Sequence, residues 1–480
     1  METPTLEPAV VPEAAPDPKA AKRANFEAYL ANVHAGTIVA TNKPVQLHLE
    51  VSSRCNLRCK KCGFSWDPSL AASGRDLPWP ILARMDEFFA AAVEVHTFGY
   101  GEMFLYPELA PLVTVLKNHG CRLSGITNGV LIRPADVVWL VACGYDQLTF
   151  SIDGATEETM DKLRGASLAK VLHVLHLIHD EKERRKSEFP RIVVNFVAQN
   201  DNFRELPDLA RQLGPLGIYF MGVNPLHHFF ETAGAYGPYY ESFRLSRAPR
   251  AEFEDAVSQA RAIMESTGTT FQNFVNPDFE WSAERPTVDA GVPLHNRKLP
   301  EVAASPESAP EASSSDAFVQ DILAAAAAPA LPAVAQAEAP ASALSPMYCH
   351  YPWTTLYLSA AGKARVCCYM NVHEDLGAFT GDANIGTAWN GPQLQSVREH
   401  IRDGRVHPAC RECVSHRTFE VHAAAMYPIR EELGLAPVAP VPVPASAPVV
   451  EPQPEDDPGR LRRFLKRLRR PDGDGAGGSL

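Results

Sequence analysis

"EVSSRCNLRCKKCGF", Glu50 to Phe64, carries three cysteines, Cys55, Cys59 and Cys62, spaced C-x3-C-x2-C. Structural zinc sites take four protein ligands, and this run offers three. Three thiolates at this spacing suit a [4Fe–4S] cluster with one iron left open to substrate or cofactor. The competing reading is zinc held by the three thiols plus His48 or a later cysteine. The run follows the strand pattern "VQLHLEV" directly. That puts the cysteines in a loop at the C-terminal end of a strand, where parallel α/β folds build their sites.

Outward from that loop the chain alternates. "VQLHLEV", "VEVHTFGY", "RLSGIT", "QLTFSID", "RIVVNFVA" and "IYFMGVN" are short and rich in β-branched or aromatic residues. Helical spacing separates them over 80–92, 107–119, 134–143, 167–186 and 203–213. Six such repeats predict an α/β fold with a parallel sheet and outer helices, either doubly wound or a partial barrel. Before it, Phe26, Tyr29, Leu30 and Val33 share one helical face.

The flanks have a different composition. Residues 1–22 are Pro-, Ala- and Glu-rich and read as disordered. A barrel core over 23–230 is followed by a less regular connecting segment, 231–285. Residues 286–345 are low complexity and read as a linker, with a helix at "FVQDILAAAAA" the lesser alternative. A Cys-rich domain spans 346–432, and a Pro-rich linker with a basic tail closes the chain at 433–480.

Composition excludes several classes. The net charge of -12 argues against a general nucleic-acid surface. No long uninterrupted apolar run appears outside an Ala/Pro tract, so no membrane span is expected. The N-terminus lacks the pattern of a secretory signal, and cytoplasmic residence is expected. Eight of the ten cysteines fall in tight groups, which reads as metal ligation rather than a disulfide framework. Cys121 and Cys143 stand alone in apolar contexts and read as core residues.

"PVQLHLEVSSRCNLRCKKC" resembles the cluster motif of the radical S-adenosylmethionine (SAM) enzymes, down to "CNLRC". "GYGEMFLYPEL" resembles that family's Gly-Gly-Glu motif, through Gly99, Gly101 and Glu102. "TNG" with Asn128, "SIDGATEETMDKLRG" with Ser151 and Asp153, and "VVNFVAQNDNFREL" follow in the family's order. The resemblance implies a partial (β/α)6 TIM-type barrel in which Gly99, Gly101, Glu102, Asn128, Ser151 and Asp153 contact SAM. One departure is clear: the residue before Cys62 is usually aromatic and here is Lys61, for which the lysine stem or Phe64 would substitute.

The second cysteine group resembles the auxiliary-cluster extension called SPASM. Cys349, Gly362 and Cys367 read as C-x12-G-x4-C, and Trp389, Asn390 and Arg398 precede the pair Cys410 and Cys413. No further cysteine follows, so the one-cluster form, Twitch, matches better. The resemblance implies a second [4Fe–4S] cluster on Cys349, Cys367, Cys410 and Cys413, with Cys368 the alternative to Cys367. A four-cysteine zinc site is the competing reading.

The function so implied is reductive cleavage of SAM to a 5′-deoxyadenosyl radical that abstracts hydrogen from substrate. An auxiliary cluster that takes up an electron favours an oxidative outcome, dehydrogenation or cross-linking; a structural role for it is the alternative. With no peptide-recognition domain ahead of the barrel, a small molecule or sugar derivative is the favoured substrate, and a peptide the alternative. A flavodoxin- or ferredoxin-like protein is the expected electron donor. The rival classes are a non-catalytic zinc or iron–sulfur scaffold and a nucleic-acid-modifying enzyme. Gly99, Gly101 and Glu102 argue against the first, the acidic charge against the second. No catalytic base is named. His227 and His228 read as a solvated pair before a pocket lining. The tail 459–471, "GRLRRFLKRLRRP", reads as a basic amphipathic helix for an anionic membrane or a partner, or equally as a solvated helix.

Overall fold

Strand and helix alternate because apolar side chains alternate in period. β1 (Gln46–Leu49) is buried at all four positions, as a parallel strand covered on both faces should be. β2 (Glu94–His96), β3 (Arg122–Thr127), β4 (Gln147–Ser151), β5 (Arg191–Ala198) and β6 (Phe220–Pro225) follow. Each pairs in parallel with the strand before it, in the order of the sequence. β5 alternates buried and half-buried positions, one face toward the helices and one toward the inner surface. Helix 206–213 buries Leu206, Leu209, Ala210 and Leu213, the i, i+3, i+4, i+7 stripe of a helix laid on a sheet. The result is a parallel sheet with helices outside, a partial barrel. The computed structural model describes residues 19–66, 74–226, 236–275, 349–367, 376–377, 385–403, 407–410 and 433–434. No helix among them is long and apolar enough to cross a membrane.

The sheet extends beyond the six expected strands. β7 (Thr270–Asn273) adds in parallel to β6, after a helix over Arg250–Ser266. The segment expected to be irregular therefore contributes a seventh βα unit. On the opposite edge, β8 (Thr355–Leu358) pairs in parallel with β1, and β9 (Ala364–Arg365) pairs antiparallel with β8. The Cys-rich segment thus begins as an extension of the barrel sheet.

Three boundaries differ from expectation. The first helix starts at Ala20, inside the stretch read as disordered, and its Lys22 is buried with Nζ bonded to the Phe89 and Ala92 carbonyls. The helix expected over 80–92 is two, Trp79–Leu82 and Asp86–Ala91. An unexpected helix, Glu157–Arg164, is capped by Thr156, whose side chain accepts from Thr159 N, and ends at Gly165 with φ of 66°. Cys121 is buried in the core and Cys143 packs at its margin. The linker 286–345 and the tail 459–471 lie outside the described residues.

Candidate active site

The loops that follow β1 to β5 meet at one rim of the sheet, and a set of buried hydrogen bonds ties them together. Glu102 is almost fully buried after β2. Its Oε1 accepts from Thr127 Oγ1 at 2.7 Å and Phe104 N at 3.3 Å; its Oε2 accepts from Asn128 N at 2.8 Å. Burial pushes its pKa up, and the Asn128 and Thr127 bonds pull it back. Asn128 Nδ2 donates to Asn56 Oδ1 at 2.9 Å, inside the cysteine loop. Among the described residues, three of a carboxylate's roughly four acceptor positions on Glu102 are taken.

The two glycines ahead of Glu102 are there for close approach. A Cβ on Gly101 would stand 2.2 Å from Ser52 O and 2.5 Å from Arg54 O. One on Gly99 would stand 2.3 Å from Glu50 Cγ. The loop after β2 lies against the loop after β1, closed by a bond from Glu102 N to Arg54 O at 2.8 Å. Their direct contacts are to the chain that carries the cysteines.

Cys55, Cys59 and Cys62 are half-buried in that loop. Burial pushes the Cys55 thiol up to about 12, and Cys59, Glu102 and Cys62 add to the rise. A buried thiol raised by neighbouring negative charge loses its proton when a metal centre supplies positive charge. A cubane takes each thiolate on a different iron, and three thiols carried by one loop supply that donor set. His48, the fourth ligand of the zinc reading, turns to His96 and Phe98 instead, with ring centroids at 4.3 and 5.3 Å. Burial first, then His96, hold it neutral, well below the usual histidine range.

Asp153 follows β4 and is fully buried. Its carboxylate accepts from Lys61 Nζ, Arg164 Nη1 and Val197 N at 2.6 to 2.9 Å. Burial raises its pKa, but Lys61 and Arg164 more than offset this and hold it below the ordinary aspartate value. Asn202, from the loop after β5, donates to Asp153 O at 2.9 Å. Ser151 is buried at the end of β4. The side chain of Phe64 lies outside the described residues. Trp66, two residues on, packs tilted against Tyr239 and Tyr236, with ring centroids at 5.7 and 6.3 Å, and forms an aromatic wall that the motif reading missed. Its signal was an aromatic-rich run after β6.

Glu50 was the second omission. It is 5% exposed; Oε1 accepts from Tyr100 N at 2.9 Å and Oε2 from Ala360 N at 3.0 Å. One carboxylate therefore joins the cysteine loop's base, the glycine loop and the β8–β9 turn. That turn needs Gly362, whose φ is 73°. Cys349 and Cys367 flank this hairpin, and with Cys410 they border the main core. Cys413, Cys368, His227 and His228 lie outside the described residues. Trp389, Asn390 and Arg398 are structural fasteners. Arg398, fully buried, donates to Pro352 O, Ile38 O, Trp389 O and Asn390 Oδ1 at 2.8 to 2.9 Å. Asn390 exchanges two bonds of 2.9 Å with the Ala40 backbone, and Trp389 Nε1 donates to Asn42 O. The segment leading into β1 is thereby held by residues some 350 positions later.

Comparison with known proteins covers both regions. Residues 49–233 match the family model described as Radical SAM superfamily, and residues 349–414 match SPASM, described as an iron–sulfur cluster-binding domain. A tungsten-containing aldehyde ferredoxin oxidoreductase cofactor-modifying protein of Pyrococcus furiosus is 30% identical over 38% of this chain and 51% of its own. The PqqA peptide cyclase of Ruegeria pomeroyi is 32% identical over 49% of this chain and 60% of its own. The chain thus spans about half the length of the curated relatives it matches. The crystal structure of Streptococcus suis SuiB bound to S-adenosylmethionine aligns over 78% of this chain and 72% of that one, with 15% identity and a TM-score of 0.47.

Proposed function

We propose that this chain, a member of the radical SAM superfamily with a SPASM domain, is an enzyme that modifies its substrate oxidatively. The observation that carries the reading is the rim itself. Three thiols sit in one loop that Gly101, Glu102 and Asn128 lock to the ends of β2 and β3. Cys55, Cys59 and Cys62 would hold one [4Fe–4S] cluster, and Cys349, Cys367, Cys410 and Cys413 the auxiliary one. When bound, the first cluster with SAM supplies one-electron reductive cleavage and, through it, hydrogen abstraction from substrate.

The chain's own part is to orient and to exclude water. Among the described residues, Glu102 keeps one acceptor position free beside the cysteine loop. Asp153 and Arg164 present a fixed, buried charge pair next to Cys59. Trp66, Tyr236 and Tyr239 form an apolar cluster with Leu226, just past β6, and Val197 of β5. A pre-arranged site of this kind, once closed over its substrate, would shield reactive species from solvent.

For the substrate, a small molecule or sugar derivative is one reading. A peptide is the second, and it is favoured by the relative named PqqA peptide cyclase, of which this chain covers 60%. The test is anaerobic reconstitution with iron and sulfide, then SAM and dithionite. Formation of 5′-deoxyadenosine and methionine, lost on Cys59→Ala, supports the proposal. Iron binding with no SAM cleavage above that variant overturns it and leaves the scaffold reading.

A further inference from the structure

Lys61 occupies the position where the family resemblance expects an aromatic side chain, and the fold uses it differently. Its Nζ stands 2.8 Å from Asp153 Oδ1 and 2.6 Å from Oδ2. Arg164 Nη1 stands 2.6 Å from the same Oδ2. The side chains of Asp153, Arg164 and Lys61 are 0%, 7% and 15% exposed. Within the triad one anion thus faces two cations, an excess of one positive charge nearly out of water; the buried Glu102 carboxylate also acts on Arg164. The triad abuts the cysteine loop: Lys60 N donates to Leu163 O at 2.9 Å, and Cys59 Sγ lies 3.8 Å from Arg164 O. Arg164 Nε is buried with no hydrogen-bond partner among the described residues. A surplus buried charge is costly unless a counter-charge sits beside it. An iron–sulfur cube bearing three thiolates carries net negative charge and meets that need.

We propose that Lys61 is a positioning residue that sets the reduction potential of the cluster on Cys55, Cys59 and Cys62, holding it higher than an uncharged side chain there would. Lys61 neutralises Asp153, so that the Arg164 guanidinium is left to act on the cluster. Net charge and hydrogen bonds to sulfur are among the levers that set such potentials. The proposal rests on the radical SAM reading, and the test separates the two.

Full-length wild type, Lys61→Met, Lys61→Arg and Asp153→Asn are reconstituted anaerobically and their iron counted. The reduced signal that changes on adding SAM is followed by electron paramagnetic resonance through a redox titration. Wild type without iron, or without a SAM-responsive signal, refutes the functional reading itself. With that signal present, Lys61→Met is expected to shift the midpoint negative and Lys61→Arg to leave it in place. Asp153→Asn, which removes the anion, is expected to shift it positive. Opposite signs identify charge as the cause, because structural damage would move both variants alike. An unshifted Lys61→Met overturns the proposal. If Lys61→Met does not retain iron, Asp153→Asn decides: a midpoint that stays put or moves negative overturns it.

Discussion

Gly101→Ala tests whether the glycine motif acts by letting two loops touch. The new Cβ would lie 2.2 Å from Ser52 O, 2.5 Å from Arg54 O and 2.8 Å from Ser52 C. All three are backbone atoms, so no side chain can swing aside. Ordinary contact needs the cysteine loop to retreat by roughly 1 Å, in a core packed as densely as a crystal. Overpacking of this kind costs about 1–3 kcal/mol. The retreat also stretches the bond from Glu102 N to Arg54 O, worth about 0.5–1.5 kcal/mol. The sum is about 1.5–4.5 kcal/mol, and it falls on the residue that precedes Cys55. Urea unfolding of the full chain should show that loss. Iron per chain after reconstitution should fall toward the auxiliary cluster's share alone. Gly237→Ala is the control: its Cβ meets nothing within 4 Å among the described residues, and alanine favours the helix Tyr236–Phe243, in whose first turn it lies. A Gly101→Ala chain as stable and as iron-rich as Gly237→Ala would refute the reasoning.

Arg398→Lys should cost about 2 kcal/mol or more in urea unfolding, since an ammonium cannot serve four acceptors spread around a planar fork and leaves buried carbonyls unpaired. Glu50 has a pH signature. Burial raises its folded pKa, so the folded chain binds that proton more tightly than the unfolded chain. Stability should therefore rise as pH falls through the folded value toward the unfolded one, about 4.3. Glu50→Gln should flatten that rise in urea midpoints, at a lower midpoint overall, because its amide cannot accept from both Tyr100 N and Ala360 N. Replacing Cys349 and Cys367 by alanine should remove about four of the about eight irons expected from two cubanes, and leave the SAM-responsive signal in place; loss of all iron would show that the two sites do not load independently.

Local signals in the chain were sufficient for the barrel's alternation and for the grouping of Asn128, Glu102 and Asp153 near the cysteine loop. Strong apolar periods and short polar motifs at strand ends need no distant partner to be read. The features that escaped depend on distant or weak signals. Only Phe271 of β7 is well buried, so an edge strand with a polar sequence left no apolar run to find. Helix 157–164 shows two apolar side chains, Met160 and Leu163, and its sign was the Thr156 cap and Gly165. β8 reads as a strand alone, but nothing local in "TLYL" says it will pair with β1. Lys61 looked like a missing aromatic because its partner, Asp153, is 92 residues away.

The seating of β8 beside β1 also fixes an order of events at birth. β1 meets its first neighbour early: Gln46 bonds Glu94, 48 residues on. Its second neighbour arrives late, because Gln46 meets Thr355 309 residues on. At about 5–20 residues per second, the ribosome takes roughly 15–60 s to deliver it. Throughout that interval one edge of β1 has no strand beside it, Glu50 lacks its Ala360 donor, and the cysteine loop hangs from a half-built frame. The nascent chain is therefore most vulnerable to aggregation, and its thiols to oxidation, between the two pairings. A chain truncated before residue 349 should populate that state at equilibrium.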